Sequence, residues 1–144
     1  MAATKESFTF TLTRLASHYR TELTQNFAKN GHADITPDYW IVLEALWKED
    51  NISISMLAKR TCKDNAGLSR ILDGMERNDL VNRIVCAGDK RSYSIVLTKY
   101  AQGLKEKLQA VEEETLQQAS KGLNPIETME LRRMLNHMFS NLEK

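Results

Sequence analysis

Apolar residues recur at helical spacing, on one side only, between residues 64 and 78. Leu68, Ile71, Leu72 and Met75 occupy the i, i+3, i+4 and i+7 positions of a helix that buries a single face. At about 100° per residue, the opposite face carries small and hydrogen-bonding residues together with long cations: Lys63, Ala66, Ser69, Arg70, Asp73 and Arg77, with Gly67 at the margin. A helix with this outer face fits the major groove of DNA, where side chains reach base edges. The pattern therefore predicts a recognition helix.

The segments on either side of this helix complete a larger motif. Ser53 is a suitable N-cap for a helix that ends near Thr61. After the recognition helix come two stretches rich in β-branched residues, 81–86 and 92–97, separated by a turn-forming tip over residues 87–91. Two helices followed by a hairpin with a basic tip predict a winged helix-turn-helix over residues 53–98.

The flanking segments are predicted to be helices with long apolar stripes. The first covers residues 7–30 and the second opens at Thr36-Pro37, which supply a capping residue and a proline at the first helical position. A single helix is predicted over residues 98–120, weakened locally by Gly103, and the last begins at Asn124-Pro125. A small monomer cannot cover such stripes, so they favour association of two subunits.

The predicted fold class is thus mainly α (α+β). One domain, residues 1–144, contains a winged helix-turn-helix lobe over 53–98, and residues 1–35 with 99–144 form a dimerisation region. No run of about 18 apolar residues occurs, and the N-terminus lacks the order of a signal peptide. We therefore expect a cytoplasmic protein without a membrane span.

Charge distribution agrees with nucleic-acid binding. The whole chain has a formal net charge of +1, but residues 53–92 hold eight Lys and Arg against five Asp and Glu. A local positive excess is the electrostatic footprint expected of a DNA-binding surface. Positive charge therefore accumulates where the recognition helix and the hairpin are predicted.

Catalytic and metal chemistry have little support. His18, His32 and His137 lie far apart without metal-binding spacing, and neither a phosphate-binding glycine loop nor a nucleophile motif occurs. Cys62 and Cys86 form no disulfide framework or paired metal motif. Each is expected to be a small, partly buried apolar residue rather than a redox sensor. No enzymatic activity, metal or cofactor is expected.

The hairpin carries the most specific motif. Asp89-Lys90-Arg91 is followed, after five residues, by Leu97-Thr98, and Arg83 precedes Asp89 by six positions. On this motif the chain resembles the MarR (multiple antibiotic resistance regulator) family of bacterial transcriptional regulators, over essentially its whole length. It departs from the family pattern at Asp79 and Ala101, where glycine is common. Aspartate tolerates a left-handed backbone, so the turn at Asp79 is expected to be kept.

The resemblance implies a homodimer on double-stranded DNA, with the recognition helix in the major groove and the wing arginine, Arg91, in the minor groove. Arg70 can pair with guanine and Asn65 with adenine; alternatively, Arg70 is a solvated arginine or pairs within its helix with Asp64 or Asp73. Asp89 is expected to orient Arg91 rather than contact DNA. The full set of expected DNA contacts is Ser53, Ser55, Lys63, Asn65, Ala66, Gly67, Ser69, Arg70, Lys90 and Arg91.

The resemblance also implies a small aromatic or phenolic effector and the role of a ligand-responsive repressor on a palindromic operator. Candidate effector contacts are His18, Tyr19, Arg20 and Trp40, with Trp47 beside them, because aromatic walls with a few cations suit anionic rings. Packing explains Tyr19 and both tryptophans equally well, since they lie on core stripes. The alternative function is a winged-helix protein-interaction module with weak or vestigial DNA binding, which has no need for both Arg70 and a basic wing.

Overall fold

The computed structural model describes residues 5–86 and 89–143, without the side chains of residues 86 and 89–92. The chain is mainly helical and contains one small antiparallel sheet, as the sequence predicts. Its elements in order are α1 (Phe8–Lys29), α2 (Pro37–Lys48), β1 (Ile52–Ser53), α3 (Ile54–Thr61), α4 (Asn65–Arg77), β2 (Val81–Cys86), β3 (Asp89–Leu97), α5 (Lys99–Gly103), α6 (Lys105–Ala119) and α7 (Pro125–Leu142).

Polar side chains begin four of these helices at the positions that the sequence predicts. The hydroxyls of Thr36, Ser53 and Thr98 each accept a hydrogen bond from a backbone N–H three residues later. Asn124 and Glu127 form a reciprocal capping box at the start of α7. Because each cap satisfies backbone donors that the helix itself leaves free, the helix starts are fixed locally.

The sheet differs from the prediction in two respects. Its strand order is β1-β3-β2, and the two-residue β1, which the sequence does not reveal, pairs with β3 through Ile52 and Ile95. β3 also begins at Asp89, so residues 89–91 belong to a strand rather than to the predicted turn tip. The reason is that β2 continues as a pairing partner up to Cys86, opposite Asp89, beyond an irregularity at Val85.

The single helix predicted over residues 98–120 is two helices, α5 and α6. They meet at Leu104, whose N–H binds the carbonyl of Ala101 at 3.2 Å in the tighter i→i−3 pattern. Gly103 weakens the helix at this point. Ala101 and Leu104, on either side of this interruption, are both buried.

The core joins the C-terminal half of α1 to α2–α6 and the sheet. Leu23 and Phe27 of α1 are 3% and 0% exposed, whereas Phe8 and Leu15 in its N-terminal half are 56% and 53% exposed. No residue of α7 is buried. None of the helices in the described part of the chain has the length and apolar character needed to cross a membrane.

Candidate nucleic-acid interface

The helix α4 buries one face and presents the other to solvent. Leu68, Leu72 and Met75 are fully buried, whereas Asn65 and Arg70 are exposed. The Asp64 carboxylate caps the helix, accepting the Gly67 N–H at 2.6 Å. Ala66 is also exposed, so the first two turns combine small side chains with one long cation.

Arg70 makes no ion pair or hydrogen bond within the described part of the chain. The two intrahelical partners considered for it are used elsewhere, because Asp64 caps the helix and Asp73 pairs with Arg83 at 2.9 Å. An exposed guanidinium without a carboxylate partner keeps all its donors for another molecule. Arg70 is therefore a solvated arginine rather than one paired within its helix, and its contact with DNA stays a prediction.

The small polar residues near α4 have defined local roles. A Cβ atom at Gly67 would lie 3.0 Å from the capping oxygen of Asp64, so the absent side chain leaves room for the cap. Ser69 is half-buried, and its hydroxyl accepts from Arg83 at 3.4 Å. Ser53 caps α3 through its hydroxyl, and Ser55 is exposed in the first turn of that helix.

Arg83 fastens the wing to the recognition helix. Its guanidinium in β2 binds Asp73 at 2.9 Å and Glu76 at 2.8 Å, and donates to the carbonyl oxygen of Ser69 at 3.2 Å. The Arg83 side chain is 17% exposed. A planar guanidinium held by three acceptors on one helix fixes orientation as well as distance. Arg83 therefore sets the angle between β2 and α4.

We expect Arg83→Met to destabilise the protein by about 1–3 kcal/mol, because Asp73, Glu76 and the Ser69 carbonyl lose a charged donor. Urea unfolding followed by circular dichroism measures the change. Arg77→Met is the matched control, since Arg77 is exposed and has no ion pair in the described residues. Equal unfolding midpoints for the two variants would contradict a stabilising role of the Arg83 bonds to α4.

Lys63, the other described cation among the expected DNA contacts, already has a partner. Its ammonium binds Asp38 at 2.9 Å, and the same carboxylate oxygen accepts from Arg20 at 3.1 Å. Partial burial raises the pKa of Asp38, but hydrogen bonds from Lys63 and Arg20 outweigh burial and hold that pKa below its ordinary value. Asp38 is thus ionised at neutral pH.

Cys62 is exposed, and the expectation that it is partly buried is wrong. It caps the C-terminus of α3 with a left-handed backbone, φ 56°. That conformation turns the chain sharply towards α4 and leaves the thiol outside the core. The side chain of Cys86 lies outside the described part, as do those of Asp89, Lys90 and Arg91, so their expected roles stay predictions.

The structure connects three of the candidate effector residues, His18, Tyr19 and Trp40, and binds the fourth, Arg20, to a different partner. His18 and Tyr19 line a cavity of about 250 Å³ between α1 and α6. The Tyr19 hydroxyl and the Trp40 indole N–H both donate to the Glu112 carboxylate, Trp40 at 2.8 Å. Burial, and then the Glu112 hydrogen bond, raise the pKa of Tyr19. Arg20 is engaged by Asp38 instead.

Sequence reasoning missed three features: the contacts of Asp38, those of Glu112, and the bonds by which Arg83 holds β2 to α4. Glu112 joins α1, α2 and α6 through Tyr19 and Trp40. The spacing of Arg83 to the wing was visible, but its partners were not. Asp38 gave the signal of an acid in the first turn of a helix, which says nothing about a lysine 25 residues later.

Comparison with known proteins agrees with this geometry. Residues 35–93, which run from the start of α2 into the wing, match the MarR family model. This stretch, 59 of the 144 residues, is similar to MarR-family proteins. A curated relative, the HTH-type transcriptional regulator TtmR of Methylorubrum extorquens (strain PA1), is 32% identical over 77 residues, which is 54% of this chain and 40% of that protein. The match thus spans less than half of that relative's length.

Solved structures share the fold over nearly the whole chain. A MarR transcriptional regulator from Methanosarcina mazei Go1 superposes with a TM-score of 0.81 at 20% identity, covering 91% of this chain and 92% of that one. S. aureus MepR, in a complex with DNA, gives 0.80 at 22% identity, covering 96% and 99%. The flanking helices α1 and α5–α7 therefore belong to the MarR fold together with the winged lobe.

Proposed function

We propose that this protein is a MarR-family, sequence-specific DNA-binding transcriptional regulator. The observation that carries the proposal is the outer face of α4, where Arg70 is exposed and unpaired among the described residues, above a fully buried opposite face. The similar MepR structure holds DNA. The proposed contacts are Ser53, Ser55, Asn65, Ala66, Gly67, Ser69 and Arg70 in the helices and Lys90 and Arg91 in the wing.

The proposed working unit is a homodimer on a palindromic operator. The N-terminal half of α1 exposes apolar side chains, and no residue of α7 is buried within the described chain, which supports a second copy as the cover. A monomeric protein rarely exposes such extended apolar faces. A two-fold dimer would set two recognition helices about 34–36 Å apart, one turn of DNA.

We also propose that a small aromatic or phenolic effector releases the protein from DNA, which makes it a repressor. The cavity beside His18 and Tyr19 supports a site between α1 and α6. Arg20 and Trp40 are proposed to act indirectly, since their polar groups are engaged by Asp38 and Glu112. An effector in the cavity would displace Tyr19 and so disturb the joint between α1, α2 and α6.

Selection of bound sequences from random and genomic DNA tests the regulator. The expected result is one palindromic motif, bound with an affinity that falls steeply with salt. Weak binding that is uniform across sequences would instead support the alternative, a winged-helix protein-interaction module. The selected motif also provides the operator used in the experiments below.

Arg91→Ala is expected to lower affinity for the selected operator without changing the fold or the dimer, because a narrow minor groove attracts an arginine. Fluorescence anisotropy at physiological salt measures the affinity. Lys99→Ala, a basic residue after the wing, is the control for loss of one positive charge. Equal affinities for Arg91→Ala and the unaltered protein would remove Arg91 from the contacts.

A further inference from the structure

We propose that Asp38 is a positioning residue that ties the start of the recognition helix to α1 and thereby sets the spacing between the two recognition helices of a dimer. The proposal rests on the DNA-binding function proposed above. Asp38 touches no DNA in this scheme. It acts through Lys63 on one side and Arg20 on the other.

One carboxylate joins three separate segments of the chain. Asp38 lies in the first turn of α2 and accepts from Arg20 in α1 at 3.1 Å and from Lys63 at 2.9 Å. Lys63 occupies the short turn between Cys62, which caps α3, and Asp64, which caps α4. Lys63, two residues before the first residue of the recognition helix, is therefore held through a single oxygen atom to the middle of α1.

The environment of Lys63 favours a structural ion pair with Asp38 over a contact with a DNA phosphate. Its side chain is 22% exposed, against 46% for Arg20. A phosphate that approached the ammonium would also approach the Asp38 carboxylate, and the two negative charges repel. The α2 N-terminus further stabilises the carboxylate in place. Lys63 is thus oriented towards the protein rather than towards DNA.

The position of this ion cluster explains why it affects spacing. The N-terminal half of α1 belongs to the proposed dimer interface, whereas α4 carries the base contacts. Two recognition helices read a palindrome only when their separation matches one turn of DNA. A tether between α1 and the start of α4 transmits the dimer geometry to the reading element, so its loss should loosen spacing more than it weakens contact with one half-site.

Asp38→Asn tests the tether on operators whose half-sites are at the selected spacing or moved by one base pair. We expect about fivefold weaker binding at the selected spacing, from the loss of two partly exposed ion pairs, and a flatter preference among the spacings. Glu44→Gln is the matched control, because it removes the same charge from α2 and Glu44 has no ion pair in the described residues. A spacing preference in Asp38→Asn equal to that of Glu44→Gln overturns the proposal.

Lys63→Gln provides a second, independent arm. It should flatten the spacing preference as Asp38→Asn does, and the double variant should be no worse than Asp38→Asn alone, because that variant already removes the bond to Lys63. Asp38→Glu should retain most of the preference. In Lys63→Gln the salt dependence of DNA binding should equal that of the unaltered protein. A slope reduced by about one per protomer would make Lys63 a phosphate contact and overturn the proposal.

Amide hydrogen exchange of the DNA-free protein separates failure of the tether from failure of the proposed function. Asp38→Asn should speed exchange at residues 64–68, at the start of α4, relative to Glu44→Gln. If the unaltered protein selects no sequence, the proposed function fails, and exchange still decides the tether. Unchanged exchange at residues 64–68 overturns it, and faster exchange supports it.

Discussion

Arg70→Ala is expected to lose about 1–3 kcal/mol of binding free energy at each half-site, together with the preference for the contacted base pair. Arg70 extends from the exposed face of α4, and no carboxylate in the described chain competes for its guanidinium. A bidentate arginine–guanine contact carries both affinity and sequence information. Fluorescence anisotropy on the selected operator, and on operators substituted one base pair at a time, measures the two effects.

The matched control for Arg70 is Arg77→Ala. Arg77 lies on the same side of α4, seven residues or about 10 Å further along the helix, and is likewise exposed and unpaired in the described residues. Its loss should weaken binding evenly across sequences, as the loss of one positive charge does. If Arg70→Ala retains the full base preference, Arg70 acts in the same general way and does not read sequence.

The features that sequence reasoning predicted well are determined within a few residues. Thr36, Ser53 and Asn124 begin their helices as expected, because a cap and the backbone N–H it satisfies lie three residues apart. Asp79 keeps the left-handed turn with φ 59°. The apolar period of α4 likewise fixed its outer face, and with it the position of Arg70.

The features that sequence reasoning did not predict depend on partners distant in sequence. β1 exists because β3 lies beside it, and a two-residue strand has no periodicity to detect. The bonds from Lys63 and Arg20 to Asp38 cross 25 and 18 residues. Ion pairs of this kind follow from the packing of α2 against α1 and against the α3–α4 turn, which no local pattern specifies. The shared partner of Tyr19 and Trp40, Glu112, escaped prediction for the same reason, since it lies 93 and 72 residues further along the chain.

The apolar face of α7 makes the strongest case for a second subunit. Leu131, Leu135, Met138 and Leu142 are 41%, 40%, 42% and 74% exposed, and no residue of this 18-residue helix is buried. Helices in proteins obtain most of their stability from packing of one face rather than from intrinsic propensity. The capping box at Asn124 orders the first turn, but it cannot compensate for a solvated apolar stripe along the remainder.

Leu135→Asp is therefore expected to convert a dimer of twice 16.5 kDa into a monomer, since each subunit would place an unpaired charge in an apolar interface. Sedimentation velocity measures the mass. His137→Asp is the control, because His137 lies about 200° around the helix and is exposed; it should remain dimeric.

A monomer keeps α4 but loses the fixed distance between two copies, so Leu135→Asp should bind single half-sites weakly and no longer distinguish a palindrome from them. If Leu135→Asp stays dimeric with unchanged operator binding, α7 is not the interface and the spacing argument for Asp38 loses its basis.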